Sequence, residues 1–440
     1  MFPVLKFGGT SVGSAQRIKD LVKIVQGNET KLIVLSAMSG TTNALVEISN
    51  DLYAGEKEKA ASNINNLHKK YLAVVEELFS TSATKTKGLE LIDNHFKYLQ
   101  GFTLDMFTSN EEKAILAQGE LLSTALFHFY LEELGIKSVL LPALNFMKLD
   151  ANEEPDFAHI EKYLKQELQP HTGTQIFITQ GYICRNIFGE IDNLKRGGSD
   201  YSASIIGAVL GSPEIQIWTD IDGMHNNDPR VVENTKPIQQ LSFDEAAELA
   251  YFGAKILHPT CILPAKKRNI PVLLKNTMQP SAAGTRIANT QTGEGIKAIA
   301  AKDGITAINI KSDRMLLAYG FLRAVFEIFE RYKTPIDMIC TSEVAVSLTI
   351  DNDKQLPAII GELKQIAQVE IDQNQTIISI VGALPKEKAG YAQRVFEALK
   401  DIPLRMVSYG GSHHNISVLV QGGMKTEALK ALNRGLFQKS

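Results

Sequence analysis

Apolar and polar positions alternate in two ways through the first two thirds of the chain. Short continuous apolar runs predict buried strands at Lys31–Ala37, Gln175–Ile183 and Glu214–Asp220. Between them, apolar residues recur with the spacing of one helix face over Lys57–Phe79 and Asn110–Leu134, and predict amphipathic helices. Strands that alternate with helices indicate an α/β layered fold on a mostly parallel sheet. In such sheets ligands bind at the carboxyl ends of the strands, so functional residues are expected in the loops there.

A different pattern begins after Gln279–Gly295, a loop-rich segment with many Pro, Gly, Ser and Thr residues. Beyond it the chain repeats itself at a constant spacing of 70 residues, as from Gly320–Glu327 to Gly390–Glu397, and Val-Phe-Glu recurs identically in both. Each repeat predicts a strand, a glycine loop, a helix and two strands. We therefore expect an α/β domain over residues 1–290 and two smaller units over 304–373 and 374–440, with residues 296–303 able to add a strand to the last.

Composition narrows the function classes. The chain has 440 residues, of which 44% are hydrophobic and 22% charged, as in globular proteins with a large core. Its net charge of −3 gives no electrostatic basis for binding nucleic acid or a membrane. The three cysteines are far apart and odd in number, so they predict neither a disulfide framework nor a metal cluster. We recognise no secretory leader and no membrane-spanning run, and expect a cytoplasmic protein.

A glycine pair follows the first predicted strand in Lys6–Ser11 (KFGGTS). Paired glycines allow a tight turn whose backbone N–H groups converge on an anion, and the helix that follows adds the positive end of its dipole. Lys6 supplies a full positive charge, so a phosphate group is the expected guest. The spacing is not that of G-x-x-x-x-G-K-[ST], so a P-loop enzyme is not predicted. The alternative is a glycine turn beside an unrelated surface lysine.

Two weaker clusters come next along the chain. Ser36–Asn43 (SAMSGTTN) places small polar residues between a strand and a helix, and its alternative role is to cap that helix through Thr41 or Thr42. Glu120 lies beside a glycine in a helical stretch. Its carboxylate could bind an ammonium group or could simply face solvent.

A second basic, glycine-rich cluster is Lys195–Ala203 (KRGGSDYSA), which opens a helix of small residues and predicts another anion pocket. Asp200, near the start of this helix, could equally be a routine cap. Downstream, Trp218–Asp220, Asn227–Arg230 and Phe252–Pro259 offer Thr, Asp, Arg and Lys side chains.

The order of these clusters is more specific than any one of them. The patterns K-F-G-G-T-S, S-x-x-x-G-x-T-N, G-E-L-x-S, R-G-G-S-D-Y-[ST]-A, W-T-D followed by D-P-R, and F-G-A-K-x-L-H-P follow one another as in the aspartate kinases, which the chain resembles along essentially its whole length. The resemblance is closest to the monofunctional, lysine-regulated branch. It implies an amino-acid-kinase-like three-layer α/β fold with a mostly parallel central sheet, followed by two ACT-type β-α-β-β regulatory units.

The resemblance implies transfer of a phosphoryl group from ATP to the side-chain carboxylate of L-aspartate. The residues that it implies for catalysis are Lys6 and Asp200. Those that it implies for aspartate are Ser36, Thr42, Glu120, Arg196, Gly197, Gly198 and Ser199. Those that it implies for ATP are Lys6, Gly8, Gly9, Ser11, Thr219, Asp220, His225, Arg230 and Lys255. It implies that Mg²⁺ is held mainly by the nucleotide phosphates, without a metal site of the protein's own.

The resemblance also implies feedback by L-lysine in a homodimer or homotetramer joined through the ACT-type units. The effector residues that it implies are Met315, Ala318, Gly320, Phe321, Leu322, Ile336, Asp337, Thr341 and Ser342. Backbone amides at Gly320–Leu322 suit a carboxylate, and Asp337 suits an ammonium group. Ala318 stands where related sensors usually carry serine, and His225 where the kinases often carry tyrosine. Two alternatives stay open: a kinase for glutamate or N-acetylglutamate, and a catalytically inactive amino-acid sensor.

Overall fold

The computed structural model describes residues 1–104, 106–195, 197–253, 257–290, 293–312, 319–385 and 387–438. These residues form two compact units. One contains Met1–Gly223 and Ile256–Asn289, and the other contains Met224–Lys255 and Thr290–Ser440.

The strands are, in chain order, β1 (Val4–Phe7), β2 (Lys31–Leu35), β3 (Ser138–Leu141), β4 (Ile176–Gln180), β5 (Ile183–Arg185), β6 (Ile191–Asn193), β7 (Ile215–Thr219), β8 (Gln240–Leu241), β9 (Val272–Asn276), β10 (Thr285–Ile287), β11 (Gly295–Lys311), β12 (Ile339–Thr341), β13 (Ala345–Ile350), β14 (Gln368–Ala383), β15 (Met406–Tyr409) and β16 (Asn415–Gln421). The α-helices are α1 (Ala15–Val25), α2 (Thr41–Tyr53), α3 (Lys57–Leu78), α4 (Ser82–Gly101), α5 (Ser109–Glu133), α6 (Ala143–Phe146), α7 (Phe157–Leu168), α8 (Gly198–Leu210), α9 (Phe243–Tyr251), α10 (Leu263–Arg268), α11 (Phe321–Arg331), α12 (Leu356–Ile366), α13 (Tyr391–Ala398) and α14 (Lys425–Phe437).

The first unit is built on a sheet whose strands lie in the order β3-β4-β2-β1-β7-β9-β10. Its neighbouring strands are parallel except for β10, which runs antiparallel to β9. Every residue of β2 and β4 is buried, because helices cover both faces of a parallel sheet. Helix α5 packs on β2, β3 and β4, and α8 packs on β1, β2 and β7. The predicted α/β fold on a mostly parallel sheet is confirmed.

Helix α5, which carries Glu120, begins at a capping box. The hydroxyl of Thr108 accepts from the backbone N–H of Asn110 (3.3 Å), and the carboxylate of Glu111 accepts from the N–H of Thr108 (2.9 Å). The middle of the helix is buried continuously from Ala114 to Glu120. A cap at its start and burial along its middle give the Glu120 side chain a fixed position.

The second unit contains a six-stranded antiparallel sheet in the order β12-β13-β11-β14-β16-β15. The long central strands β11 and β14 pair with each other, so the two sequence repeats share one sheet. Each repeat has its own apolar cluster, one around Val325 and Leu348 and the other around Val395 and Val418.

The repeat is visible in the backbone as well as in the sequence. Gly320 precedes α11 with a backbone φ of +91°, and Gly390 precedes α13 with a φ of +98°. Residues other than glycine rarely adopt this left-handed backbone conformation. Each repeat also continues into a further helix, α12 or α14, which the β-α-β-β prediction omits. Helix α12 buries Leu356, Ile359 and Leu363, and its apolar stripe therefore covers part of the sheet.

Residues 224–253 are bonded to the C-terminal half of the chain within the second unit. The carbonyl of Asn226 accepts from the N–H of Ile299 in β11 (2.9 Å). The buried side-chain amide of Asn227 donates to the carbonyl of Leu429 in α14 (3.1 Å). No helix in the described ranges is both long and apolar enough to span a membrane.

Candidate active site

The centre of the site is an ion pair between Lys6 and Asp200. Lys6 lies in β1, and its Nζ is 2.6 Å from Oδ1 of Asp200 in the first turn of α8. Both side chains are largely buried, with 11% and 15% of their surfaces exposed. Asp200 therefore holds the Lys6 ammonium group rather than acting as a helix cap, and the residue before α8 is Gly197.

The glycine turn after β1 uses part of its hydrogen-bonding capacity internally. The N–H of Gly8 donates to the carbonyl of Trp218 (3.2 Å), and the N–H of Ser11 donates to the carbonyl of Gly8 (2.9 Å). The carbonyl of Gly9 accepts from the N–H of Ser39 (3.1 Å). In the part of the chain that the structure describes, no group accepts from the N–H of Gly9, which leaves this donor for a ligand.

The second glycine pair, Gly197 and Gly198, is held in a position that only glycine tolerates. Gly197 has φ +68°, and a Cβ there would overlap the sulfur of Cys261. The thiol of Cys261 donates to the Gly197 carbonyl (3.4 Å). Burial raises the pKa of Cys261 to about 12, which is typical of a thiol that packs in the interior. Ser199 follows in the first turn of α8.

Glu120 is a buried carboxyl group on α5, with 4% of its surface exposed. Its Oε1 accepts from the N–H of Ala37 in the loop after β2 (3.1 Å). The neighbouring Gly119 allows this approach, since a Cβ there would lie 2.7 Å from the Cβ of Ala37. Desolvation raises the pKa of Glu120 to about 7, while the charge of Lys6 opposes the rise. Glu120 is thus not the solvent-facing residue that the alternative described.

The loop after β2 and the start of α2 hold the other residues expected around aspartate. Ser36 is half-buried, and its carbonyl accepts from the hydroxyl of Ser123 (2.8 Å). Thr42 is exposed on the first turn of α2, whereas Thr41 is buried and its hydroxyl bonds Tyr71 (3.0 Å). The residue before α2 is Gly40 with φ +78°, so the capping role considered for the two threonines is wrong.

Thr219 and Asp220 stand at the carboxyl end of β7. The hydroxyl of Thr219 donates to Oδ1 of Asp220 (3.1 Å). The carbonyl of Thr219 accepts from the N–H (2.8 Å) and from the hydroxyl (3.0 Å) of Thr277, a residue absent from the sequence-based expectations. Its position directly after β9 is a signal that could have indicated it, because the other candidates also follow strands.

Two residues expected at the nucleotide belong to the second unit. Arg230 donates from Nε and Nη2 to the two carboxylate oxygens of Asp228 (2.9 and 2.8 Å), and this pairing lowers the pKa of Asp228. His225 Nδ1 lies 2.8 Å from the hydroxyl of Thr235. Arg196 and Lys255, expected to bind aspartate and ATP, lie outside the described residues.

Asp337, the residue expected to bind the ammonium group of an effector, already binds one that the chain itself supplies. Asp337, with 2% of its side chain exposed, accepts from Nζ of Lys302 and from the hydroxyl of Tyr251, both at 2.8 Å. Lys302 also pairs with Asp351 (2.8 Å). Gly320, Phe321 and Leu322 lie at the start of α11, Ile336 precedes β12, Thr341 ends it and Ser342 follows it. Met315 and Ala318 lie outside the described residues.

Comparisons with known proteins agree with this geometry. The family model described as "Amino acid kinase family" matches residues 1–276, and one described as "ACT domain" matches residues 378–436. The chain therefore belongs to the amino acid kinase family.

Within it, the chain is an aspartokinase. It is 33% identical to the lysine-sensitive aspartokinase 3 of Escherichia coli, covering 99% of each chain, and 33% identical to the chloroplastic aspartokinase 1 of Arabidopsis thaliana, covering 99% of this chain and 80% of that protein. The crystal structure of E. coli aspartokinase III with aspartate and ADP is 32% identical and superimposes with a TM-score of 0.86, over 99% of this chain and 100% of that one. The identification made from the sequence is confirmed.

Proposed function

We propose that this aspartokinase transfers the γ-phosphoryl group of ATP to the side-chain carboxylate of L-aspartate, which forms 4-phospho-L-aspartate, the first step of the lysine, threonine and methionine (diaminopimelate) pathway. The observation that carries the proposal is the Lys6–Asp200 ion pair, which holds an ammonium group at the end of β1 in a chain of this family. The solved E. coli relative in complex with aspartate and ADP supports the same ligands.

The chemistry requires charge stabilisation rather than a general base. A side-chain carboxylate is already ionised at neutral pH and can attack phosphorus directly. Its repulsion from the γ-phosphate is the main obstacle, so catalysis depends on positioning and on positive charge. We assign that charge to Lys6, oriented by Asp200. The N–H groups of Gly9 and Thr10, which have no acceptor among the described residues, are assigned as the turn's donors to a phosphate, whereas Gly8 and Ser11 shape the turn, because their own N–H groups are engaged.

On the aspartate side, the buried carboxylate of Glu120 is assigned to the α-ammonium group. Arg196 is assigned to the α-carboxylate as a two-pronged donor. Ser36, Thr42 and the turn Gly197–Ser199 complete the aspartate site. This opposite pairing of charges selects a free amino acid over an N-acylated one.

On the nucleotide side we assign Thr219, Asp220, His225, Arg230 and Lys255. Mg²⁺, when bound with ATP, neutralises phosphate charge. We propose that the nucleotide phosphates hold this ion and that water completes its ligand shell.

A turnover assay on three substrates tests the proposed function. ADP formation coupled to a reporter enzyme is measured with L-aspartate, L-glutamate and N-acetyl-L-glutamate. We expect turnover with aspartate and at most trace rates with the other two. N-acetylglutamate lacks the free ammonium group that Glu120 binds, and the side chain of glutamate is one methylene longer, which misplaces its carboxylate for attack on phosphorus. Turnover with glutamate or N-acetylglutamate in preference to aspartate would establish the kinase alternative. No turnover with any of them would favour an inactive sensor.

We further propose that residues 1–290 form the catalytic domain and that residues 304–373 and 374–440 form two ACT-type regulatory units, joining chains into a homodimer or homotetramer. The match of an ACT-domain model to residues 378–436 supports the regulatory part. Residues 224–253 fall within the sequence range of this catalytic domain, but they pack with the second compact unit.

L-Lysine is expected to inhibit the enzyme. The E. coli relative is named as lysine-sensitive, and its structure has been solved with lysine and aspartate. Inhibition requires lysine to prefer an inactive arrangement, and a typical coupling of about 1–3 kcal/mol weakens substrate affinity roughly 5–150-fold. Because Asp337 already binds the Lys302 ammonium, the effector must share or displace that contact. Titration of lysine, threonine and methionine into the turnover assay measures the response.

Two variants separate the effector role of Asp337 from its structural contacts. Asp337→Ala is expected to abolish lysine inhibition and to leave uninhibited turnover intact. Tyr251→Phe is the matched control, because it removes the hydroxyl donor to Asp337 and keeps the carboxylate, so it should retain the response. If lysine does not inhibit the wild type up to high millimolar concentration, or if threonine alone inhibits it, the assignment of lysine as the effector is wrong.

A further inference from the structure

Three strand ends of the first unit meet at the hydroxyl of Thr277. Its oxygen lies 2.7 Å from the hydroxyl of Ser11 in the glycine turn after β1 and 3.0 Å from the carbonyl of Thr219 at the end of β7. Thr277 itself directly follows β9. Strands β1, β7 and β9 are neighbours in the parallel sheet, so this one hydroxyl ties three adjacent carboxyl ends together.

The direction of the two hydrogen bonds follows from the groups involved. A carbonyl oxygen can only accept, so the single hydroxyl proton of Thr277 goes to Thr219. The hydroxyl of Ser11 must then donate to the oxygen of Thr277. Ser11 is fully buried and Thr277 is 8% exposed, so the pair is closed to water. The hydroxyl proton of Ser11 is therefore not available to a phosphate.

The segments joined in this way carry the groups assigned to the nucleotide. The glycine turn contains Gly9, whose N–H is open among the described residues, and β7 ends in Thr219 and Asp220. The backbone bond from the N–H of Gly8 to the carbonyl of Trp218 (3.2 Å) also links the start of the turn to β7, and the N–H of Ser39 bonds the carbonyl of Gly9 (3.1 Å). Neither bond joins the Ser11 end of the turn to β9. The bond between Ser11 and Thr277 fixes that end.

We propose that Thr277 is a positioning residue for the nucleotide phosphates. It sets the separation between the glycine turn and the end of β7, and Ser11 acts through it rather than on the nucleotide directly. This inference rests on the proposed function, since it takes the turn and Thr219 as the ATP site.

The first test is a pair of substitutions at Thr277. Thr277→Val keeps the shape of the side chain but removes its hydroxyl, so the buried Ser11 hydroxyl loses its acceptor. We expect the KM for ATP to rise about tenfold, which is equivalent to about 1.4 kcal/mol. Thr277→Ser keeps the hydroxyl and should restore the wild-type value. The KM for aspartate should stay within about twofold of wild type in both, because Glu120 and its loop are not involved.

A double-mutant cycle tests whether Ser11 works through Thr277. Ser11→Ala alone should raise the KM for ATP by a similar factor. In the double variant the two effects should not multiply, because both substitutions remove the same hydrogen bond. Independent, multiplicative effects would show that Ser11 contacts the nucleotide itself and would overturn the proposed route.

Calorimetric titration with MgADP separates this inference from the proposed function. It measures the affinity for nucleotide without aspartate present. If the wild type did not turn over aspartate, that result would contradict the proposed function, but the MgADP affinities of the variants could still be compared. Weaker MgADP binding in Thr277→Val, rescue in Thr277→Ser and unchanged melting temperatures support the proposal. Wild-type affinity in both Thr277→Val and Ser11→Ala overturns it. So does an equal rise of both KM values together with a lowered melting temperature. If Thr277→Val does not fold, Thr277→Ala, which also removes the hydroxyl, takes its place in the titration and in the cycle with Ser11→Ala.

Discussion

Replacement of Lys6 by alanine is expected to lower kcat by about two to three orders of magnitude, the usual cost of removing a preorganised charge from a transition state. The Lys6 ammonium lies at the end of β1, where it is aimed by Asp200 at 2.6 Å and shielded from water. A charge held in this way is already in place when the phosphoryl group moves, and its loss cannot be replaced by solvent. Steady-state turnover with saturating ATP and aspartate measures the effect.

The control must separate lost catalysis from lost folding. Lys6→Ala leaves the carboxylate of Asp200 largely buried without its partner, which by itself destabilises a protein. The double variant Lys6→Ala with Asp200→Asn removes that unpaired charge and should recover the melting temperature without recovering turnover. Asp200→Asn alone should lose less activity than Lys6→Ala, because it weakens the orientation of the ammonium and keeps its charge. Turnover of Lys6→Ala within about threefold of wild type would remove Lys6 from the mechanism.

Glu120→Gln is expected to raise the KM for aspartate by at least about tenfold with little change in the KM for ATP. The substitution removes the charge that faces the α-ammonium group, and a hydrogen bond to a charged group is worth about 1.5–3 kcal/mol. The amide oxygen of glutamine can still accept from the N–H of Ala37, so the loop after β2 keeps its position. Glu112→Gln is the matched control, because Glu112 lies on the same helix and bonds Tyr53 instead.

The pH dependence gives a second measure of the same group. Burial raises the pKa of Glu120 to about 7 in the substrate-free protein, so a growing fraction carries a neutral carboxyl group as the pH falls below 7. Only the ionised form attracts the α-ammonium, and binding that ammonium favours ionisation. The wild-type KM for aspartate should therefore rise as the pH is lowered through 7, and Glu120→Gln should lack this rise. If the substitution raises the KM for ATP and spares that for aspartate, the assignment of Glu120 is wrong.

Local elements of this fold could be predicted from the sequence because each one is encoded by a short pattern. The apolar run at Lys31–Leu35 is a fully buried strand, and the periodic stretch after Thr108 is the helix α5. The repeat at Gly320 and Gly390 appears as two helices entered through the same left-handed backbone conformation. The β-α-β-β prediction omits the helices α12 and α14, which follow the last strand of each repeat.

For the active site, the sequence could predict only which residue types stand at which positions of the chain. Lys6, Glu120 and Asp200 were each ambiguous alone, because a lysine, a helical glutamate and a helix-start aspartate have ordinary roles on a surface. Their motif order resolved the family, since it combines many positions at once. It could not indicate Thr277, whose role depends on hydrogen bonds to Ser11 and Thr219 that no local pattern encodes.

The sequence by itself determined the alternation of strands and helices, the tandem repeat and the membership in the aspartokinases, because periodicity and motif order are properties of the chain as written. Only the tertiary structure decided that Asp200 pairs with Lys6 instead of capping α8, and that Lys302 occupies the carboxylate of Asp337. It also decided that Glu120 is buried, which raises the pKa of its carboxyl group to about 7. Pairing and desolvation depend on every element packed around a side chain, and residues far apart in sequence supply those elements.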